Sequence, residues 1–378
     1  MARQIAANVK SWLSEQLPAD VRRAIERIAS ADDVSKVAIM PDVHLARDVC
    51  IGTVLATNQL IYPAAVGGDI GCGLAAAAFD LPADALRDAR RATELLARLR
   101  QLVPPIRQAT RTTRTLPAQL ATFGLSDARL DAVLRRDGAI QFGTLGRGNH
   151  FLEFQADEED RLWVMIHSGS RAIGPAIRDL HVSCATSSSR GMAFVEAASP
   201  EGRSYLADAE WARLYARANR RAMMEASATA VGELFDGQLE EASYFDCDHN
   251  HVRLESHGDK SFWVHRKGAN SAAVGEKGII PGSMGTESYH VEGRGNADSL
   301  CSSSHGAGRA MSREAARRRI SGNDVRDQMG RTFFDSSAAT ELAEEAPEAY
   351  KDIRAVFRAQ ADLVKRVRRL LPVLAYKG

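Results

Sequence analysis

Apolar and polar positions divide the chain into short apolar runs that end in glycine, proline, aspartate or histidine, separated by longer amphipathic stretches. Short runs bounded by turn residues read as buried strands, and longer periodic stretches as helices. Residues 1–36 then form two short amphipathic helices, the second opened by Pro18-Ala19-Asp20. Residues 37–40 and 52–62 are strands; the first runs into Pro41-Asp42-Val43-His44, the second towards Asp69-Ile70-Gly71-Cys72-Gly73. A third strand covers 75–79 and a charged helix 84–102. After the Pro104-Pro105 break and a basic, Thr-rich connection, two more helices occupy 117–136. Strands return at 139–142 and 162–166, a long helical region spans 204–235, and residues 262–267 form a strand ending in His265-Arg266-Lys267-Gly268. Helices are expected over 307–319 and 347–371. The pattern predicts an α+β fold: one compact domain over 1–378 with a mixed β core and peripheral helical insertions, among them a helical insertion at 82–137, with a long helical region at 203–236 and a C-terminal helix and tail over 347–378.

Composition narrows the class. The chain has 378 residues, 45% apolar and 26% charged, with a formal net charge of +1. That balance does not mark a general polyanion binder, so any nucleic-acid contact must rest on local basic clusters. Three stand out: Arg107, Arg111 and Arg114; Arg317 to Arg319; and Lys365, Arg366, Arg368 and Arg369. Such clusters are more often solvated helix faces than binding surfaces. No apolar run approaches a membrane span and the N-terminus lacks the layout of a signal peptide, so the cytoplasm is expected. Five cysteines scattered over this length do not form a disulfide framework.

Candidate chemistry gathers at glycine-rich junctions. His305 stands between Ser302 to Ser304 and the glycines Gly306 and Gly308, ahead of the expected helix. A helix starting there would aim N–H groups at an anion beside the ring, and Arg309 and Arg313 add positive charge. Neutral imidazole is a nucleophile towards phosphorus once the phosphate charge is neutralised. A capped turn with a solvent-facing histidine is the bland alternative. Asp69 and Cys72 lie three apart in a glycine-rich loop that can fold around a cation; a buried cysteine at a strand crossing is the alternative there. In an extended stretch from 149 to 154, Asn149, Phe151 and Glu153 share one face and His150 the other. His167 follows a strand, and His249 lies among Asp246, Asp248, Asn250 and His251. Cys50, Cys184, Cys247 and Cys301 lack such surroundings and read as structural.

Taken in order, Pro41-Asp42-Val43-His44, Asp69-Ile70-Gly71-Cys72-Gly73, Gly148-Asn149-His150-Phe151 with Glu153, His167-Ser168-Gly169-Ser170-Arg171, His249-Asn250, His265-Arg266-Lys267-Gly268-Ala269, Pro281-Gly282-Ser283-Met284-Gly285, Ser304-His305-Gly306-Ala307-Gly308-Arg309 and the terminal Lys377-Gly378 resemble the RtcB family of RNA ligases over nearly the whole chain. The resemblance implies a ligase dependent on GTP and two Mn2+ ions. It would join RNA ending in a 3′-phosphate or 2′,3′-cyclic phosphate to a 5′-hydroxyl, with His305 carrying GMP. It implies that Cys72 bridges two metals, with Asp69 and His150 on one and His167 and His249 on the other. It also places Asn149, Glu153, Ser283, Gly306, Ala307, Gly308, Tyr350 and Lys377 around the nucleotide. Glu153 suits guanine, which offers adjacent N–H donors. The soft donors by themselves suit zinc, so manganese comes from the resemblance.

Two departures are visible. After His44 the chain reads Leu45-Ala46-Arg47-Asp48-Val49-Cys50 where the family usually has a glycine-bearing loop, and Asn270-Ser271 follows Ala269 where an arginine is usual. The short chain is similar to compact members that accompany release factor H and serve RNA repair; an archease-like activator is the other partner the family implies. A two-metal RNA phosphodiesterase or cyclic-phosphate hydrolase is the competing enzyme class, and a non-catalytic RNA-binding subunit the third.

Overall fold

In the computed structural model, residues 3–109, 114–122, 124–187 and 191–378 are described. The fold is α+β. A seven-stranded sheet runs in the order Leu239–Asp248, Gly73–Pro82, Arg161–Ser168, Phe151–Ala156, Val364–Lys377, Ser288–Gly293, Lys277–Ile280, with every neighbouring pair antiparallel. Alternate side chains of its central strands pack in opposite directions. Ala75, Ala77, Phe79, Phe154 and Val164 meet the long helix Pro200–Phe235 through Met223, Met224 and Ala230, whereas Leu74, Ala76, Trp163 and Met165 form a second cluster with Ile279 and Leu370. The alanine run 75–78 therefore sits in a strand covered on both sides, where small side chains let the neighbouring layers approach.

A six-stranded sheet runs Arg3–Ala6, Val9–Ser11, Val34–His44, Ile51–Thr57, Lys260–Lys267, Asn250–His257. A two-stranded ribbon, Ala269–Ser271 with Ser302–Ser304, leads directly to His305. Register explains why the chemistry converges. Gly73 pairs with both Ser168 and Asp248, Phe151 with both His167 and Lys377. The segments bearing Cys72, His150, His167, His249 and Lys377 thus reach one end of the large sheet side by side.

Four sequence expectations give way to tertiary context. Residues 3–11 form a hairpin rather than a helix, because Val9–Ser11 completes a parallel pairing with Val34–His44; the second expected helix is present as Ala19–Ala29. Residues 139–141 are helical, continuing the turn Leu134–Gly138, with Tyr215 donating to the Gly138 carbonyl. The helix after His305 starts only at Arg313, capped by Ser312. Gly308 takes a left-handed φ of +74° and Arg309 forms a bridge with Tyr350, so the intervening chain is not helical. The expected C-terminal helix is short, Ile353–Ala359, and residues Val364–Lys377 are a fourteen-residue strand inside the large sheet. Its proline, Pro372, lies at a register shift, where a missing N–H is tolerated.

The insertion contains the helices Ala89–Leu102, Ala118–Ala121 and Ala128–Val133; Arg111 lies outside the described residues. The other basic clusters are largely neutralised. Arg317, Arg318 and Arg319 pair with Glu344, Glu314 and Glu348, and Lys365, Arg368 and Arg369 with Glu292, Asp157 and Glu287. Among the described residues no helix is long and apolar enough to cross a membrane.

Candidate active site

Two groups of potential metal ligands share one sulfur. Cys72, His167 and His249 present ligand atoms within 4.8 Å of one another, as do Asp69, Cys72 and His150. The Cys72 Sγ lies 3.2 Å from His167 Nε2 and 3.5 Å from His150 Nε2; His150 Nε2 lies 2.8 Å from Asp69 Oδ2, and the Nε2 atoms of His167 and His249 are 3.4 Å apart. The carbonyl of Asn149 accepts from His167 Nδ1 at 3.1 Å, which leaves the Nε2 lone pair facing the sulfur. Burial keeps both His167 and His249 neutral by pushing their pKa values well below the usual histidine range. Burial, reinforced by the Asp69 carboxylate, pushes the Cys72 thiol up. Burial alone would raise Asp69, but the adjacent His150 ring outweighs it and holds the carboxyl at about 2. Convergent lone pairs and a carboxylate fit cations, and a coordinating thiol is deprotonated outright.

Backbone hydrogen bonds fix these ligands. His249 N donates to Cys72 O at 2.8 Å, Gly71 N to Asn250 O at 2.8 Å, and Asn250 Nδ2 to Asp69 O at 3.0 Å. From the long helix, the fully buried Arg220 donates to Gly71 O and Ser168 O, each at 2.8 Å, while its other nitrogens hold both oxygens of Asp246 at 2.7 Å. Asn219 beside it accepts from Gly143 N at 2.7 Å and donates to Thr144 O and Ser168 Oγ. One helical dipeptide therefore ties together the loops leading to Cys72, His150 and His167. A single sequence gives no local cue to this role, because both residues lie in an ordinary helical period.

His305 stands beside this cluster, its ring centroid 4.6 Å from that of His249. The Asp42 carboxylate accepts from His305 Nδ1 at 2.7 Å and from its backbone N at 3.1 Å. The proton is thereby placed on Nδ1 and the lone pair on Nε2. A Cβ on Gly308 would collide with the Asp42 carbonyl, so the glycine permits the close approach of the two segments. His44 donates from Nδ1 to Asp42 O at 2.9 Å, and burial lowers its pKa to about 4. Asn270 supports the same corner by donating to Ser304 O at 3.1 Å, and Ser271 bonds Glu276.

A cavity extends from His305 away from the cluster. Asn149, Glu153, Ser283, Gly306, Ala307, Gly308, Tyr350 and Lys377 all line it. As the alternation predicts, Phe151 and Glu153 face this side while His150 faces the ligand cluster. Burial raises the Glu153 pKa to about 8, against a 2.6 Å hydrogen bond from Gln155 and the charge of Lys377. Glu345 was not expected from sequence. It is 3% exposed and accepts from Lys377 Nζ and Tyr350 Oη, both at 2.5 Å, with Arg309 at 3.5 Å. Opposition to burial by Lys377, Tyr350 and Arg309 keeps its carboxyl below the usual range. Arg313 donates to Asn149 Oδ1 at 2.5 Å, where the two cavities meet.

The family model for tRNA-splicing ligase RtcB matches residues 24–136 and 124–378. The chain belongs to the RtcB family. It is similar to the RNA-splicing ligase RtcB of Escherichia coli K12, 37% identical over 410 residues with 98% of each chain covered. It is also similar to the RNA-splicing ligase RtcB of Mycobacterium tuberculosis, 32% identical with 90% of this chain and 96% of the relative covered. The tRNA-splicing ligase RtcB of Pyrobaculum aerophilum is 29% identical, with 90% and 87% covered. The family match covers the seven-stranded sheet, the six-stranded sheet apart from its strands Arg3–Ala6 and Val9–Ser11, and all the segments that meet at the candidate site.

Proposed function

We propose that this RtcB-family chain is an RNA ligase that uses GTP and two manganese ions to join RNA 3′-phosphate or 2′,3′-cyclic phosphate ends to 5′-hydroxyl ends, with GMP carried on His305. The observation that carries the reading is the Asp42–His305 pair, which directs a free imidazole Nε2 from between the ligand cluster and the long cavity.

Asp69, Cys72, His150, His167 and His249 would hold the metals, which when bound neutralise phosphate charge and orient the phosphoryl group. Glu153 in its ionised form accepts from the two adjacent N–H groups of guanine, and Lys377 donates to O6. With the base at the far end of the cavity, the α-phosphate lies at His305. The Nε2 lone pair forms a bond to the α-phosphorus as pyrophosphate leaves, and Asp42 stabilises the positive charge that develops on the ring. A cyclic phosphate is first opened by water. An oxygen of the RNA 3′-phosphate then displaces His305 from the GMP phosphorus. Finally the 5′-hydroxyl oxygen attacks the RNA phosphorus, losing its proton, and GMP departs. Arg313 and Asn149 lie where the nucleotide and RNA phosphates would meet.

The hydrolase alternative requires neither an oriented His305 nor a cavity ending in Glu153. Incubation with α-labelled GTP and manganese should leave an acid-labile, alkali-stable label on the protein, absent from His305→Ala. Label retained by that variant overturns the reading. Partners of the archease or release-factor kind belong to the same proposal. Multiple turnover by the purified chain would show that none is required.

A further inference from the structure

The site opens onto a groove whose far part no step above uses. Its near part, about 610 Å³, is lined by His44, Asn149, Arg309, Arg313 and Lys351 together with Asp20 and with Glu15, which pairs with Lys351 at 3.0 Å. His44, Asn149 and Arg309 are shared with the nucleotide cavity, and Asn149 and Arg313 with the ligand-cluster cavity. Past Asp20 and Leu45 the groove enters a second hollow of about 610 Å³ lined by Arg23, Ala24, Arg27, Ala46 and Arg47. We propose that this hollow is a binding site for the sugar-phosphate backbone of single-stranded RNA leaving the active site, with Arg23, Arg27 and Arg47 as its phosphate contacts.

The proposal rests on the RNA-ligase reading and extends it to residues outside the catalytic machinery. Three arginines face one aspartate in the far hollow, so its charge is complementary to a polyanion. Unlike the arginines at 317–319, neither Arg23 nor Arg47 has a carboxylate partner among the described residues, and Arg27 donates to a backbone carbonyl, that of Asp48, at 2.6 Å. All three are exposed. Arg23 and Arg27 are four apart on the helix Ala19–Ala29, about 6 Å along its axis, which suits consecutive backbone phosphates. Arg47 comes from the loop after His44 and brings a third cation to the same hollow. Leu45, 51% exposed, stands at the junction of the two hollows, where an apolar surface can meet an unstacked base.

The test is direct binding of a fluorescently labelled 12-nucleotide 5′-hydroxyl RNA to wild type and to Arg23→Ala/Arg27→Ala/Arg47→Ala across a salt series. Guanylylation is measured in parallel. Loss of three phosphate contacts should weaken binding about tenfold or more and flatten the slope of log affinity against log salt by about 2. Protein labelling by GTP should be unchanged, as should the RNA affinity of a control variant, Arg90→Ala/Arg129→Ala, which alters exposed arginines elsewhere. Unchanged RNA affinity and salt slope in the triple variant would overturn the proposal, whichever way guanylylation falls. Arg47→Lys, which retains charge, should keep most of the binding; a loss equal to that of Arg47→Ala would count against a phosphate contact. Failure of wild-type guanylylation would count against the ligase reading, while RNA binding is read independently of it.

Discussion

The ligand-cluster end and the nucleotide end of the site are built in different ways. At the first, Asp69, Cys72, His150 and His249 lie in strand-end loops and His167 at the end of the strand Arg161–Ser168, and the backbones of these segments are bonded to one another and to Asn219 and Arg220. At the second, the polar groups come from distant segments, and a single ionised side chain, Glu345, joins Lys377, Tyr350 and Arg309. Backbone bonding fixes a donor set against cations that would otherwise pull it together. Side-chain charge pairing leaves a pocket able to change partners when a base enters. The first arrangement suits permanent ligands and the second the exchanging nucleotide proposed above.

His305 joins the two ends, and its orientation is the point of greatest sensitivity. Asp42→Asn should slow guanylylation by about 10³-fold or more while leaving metal binding intact, because the amide no longer fixes the Nδ1–H tautomer. A rate within tenfold of wild type would show that orientation comes from elsewhere.

The metal end can be broken from behind. Arg220→Met leaves Asp246 buried without its partner and frees two loop carbonyls. We expect a loss of about 3–5 kcal/mol in stability and 10- to 100-fold weaker metal binding. Cobalt titration, followed through its thiolate charge-transfer band, separates the two effects. Arg220→Lys keeps the charge without the fork, and should recover stability more than metal affinity. Wild-type cobalt affinity in both variants would remove the positioning role.

The nucleotide end should respond to pH. In the free protein Glu153 holds its proton below about 8, whereas the guanine contact proposed for it requires the carboxylate. Binding then expels a proton. GTP affinity should rise with pH, by up to about tenfold per unit below that value, and level off above it. Calorimetry in buffers of different ionisation enthalpy counts the proton. Glu153→Gln should flatten the profile and cost about 10- to 100-fold in preference for GTP over ATP.

The smallest effect is expected at Glu345→Gln, which keeps the shape but releases Lys377 and Tyr350. The KM for GTP should rise about tenfold with cobalt affinity unchanged; a change in cobalt affinity instead would show that the two ends are not independent.

Much of this site was legible in the residues. Asp69 and Cys72 in a glycine-rich loop were readable as one of two alternatives, a cation site or a buried strand crossing; the five-residue cluster came only with the family resemblance, while alternation from 149 to 154 placed Glu153 and His150 on opposite sides. Asp42 could be located but not given its role, because its partner lies 263 positions away. Arg220 and Glu345 carried no local signal: one sits in a regular helical period, the other in a run of acidic residues. The C-terminal segment shows the same limit. Its apolar and basic spacing admits a helix until the gap between Phe151–Ala156 and Ser288–Gly293 supplies two strands to pair with.

By itself the sequence determined the donor types, the glycines that let segments approach, and the buried periodicity of the central strands, since these depend on residue chemistry and near neighbours. Tertiary structure alone decided which ring nitrogen of His305 is free, which carbonyls Arg220 holds, and that the last strand lies in the sheet. Each depends on a partner brought close only when the chain closes on itself.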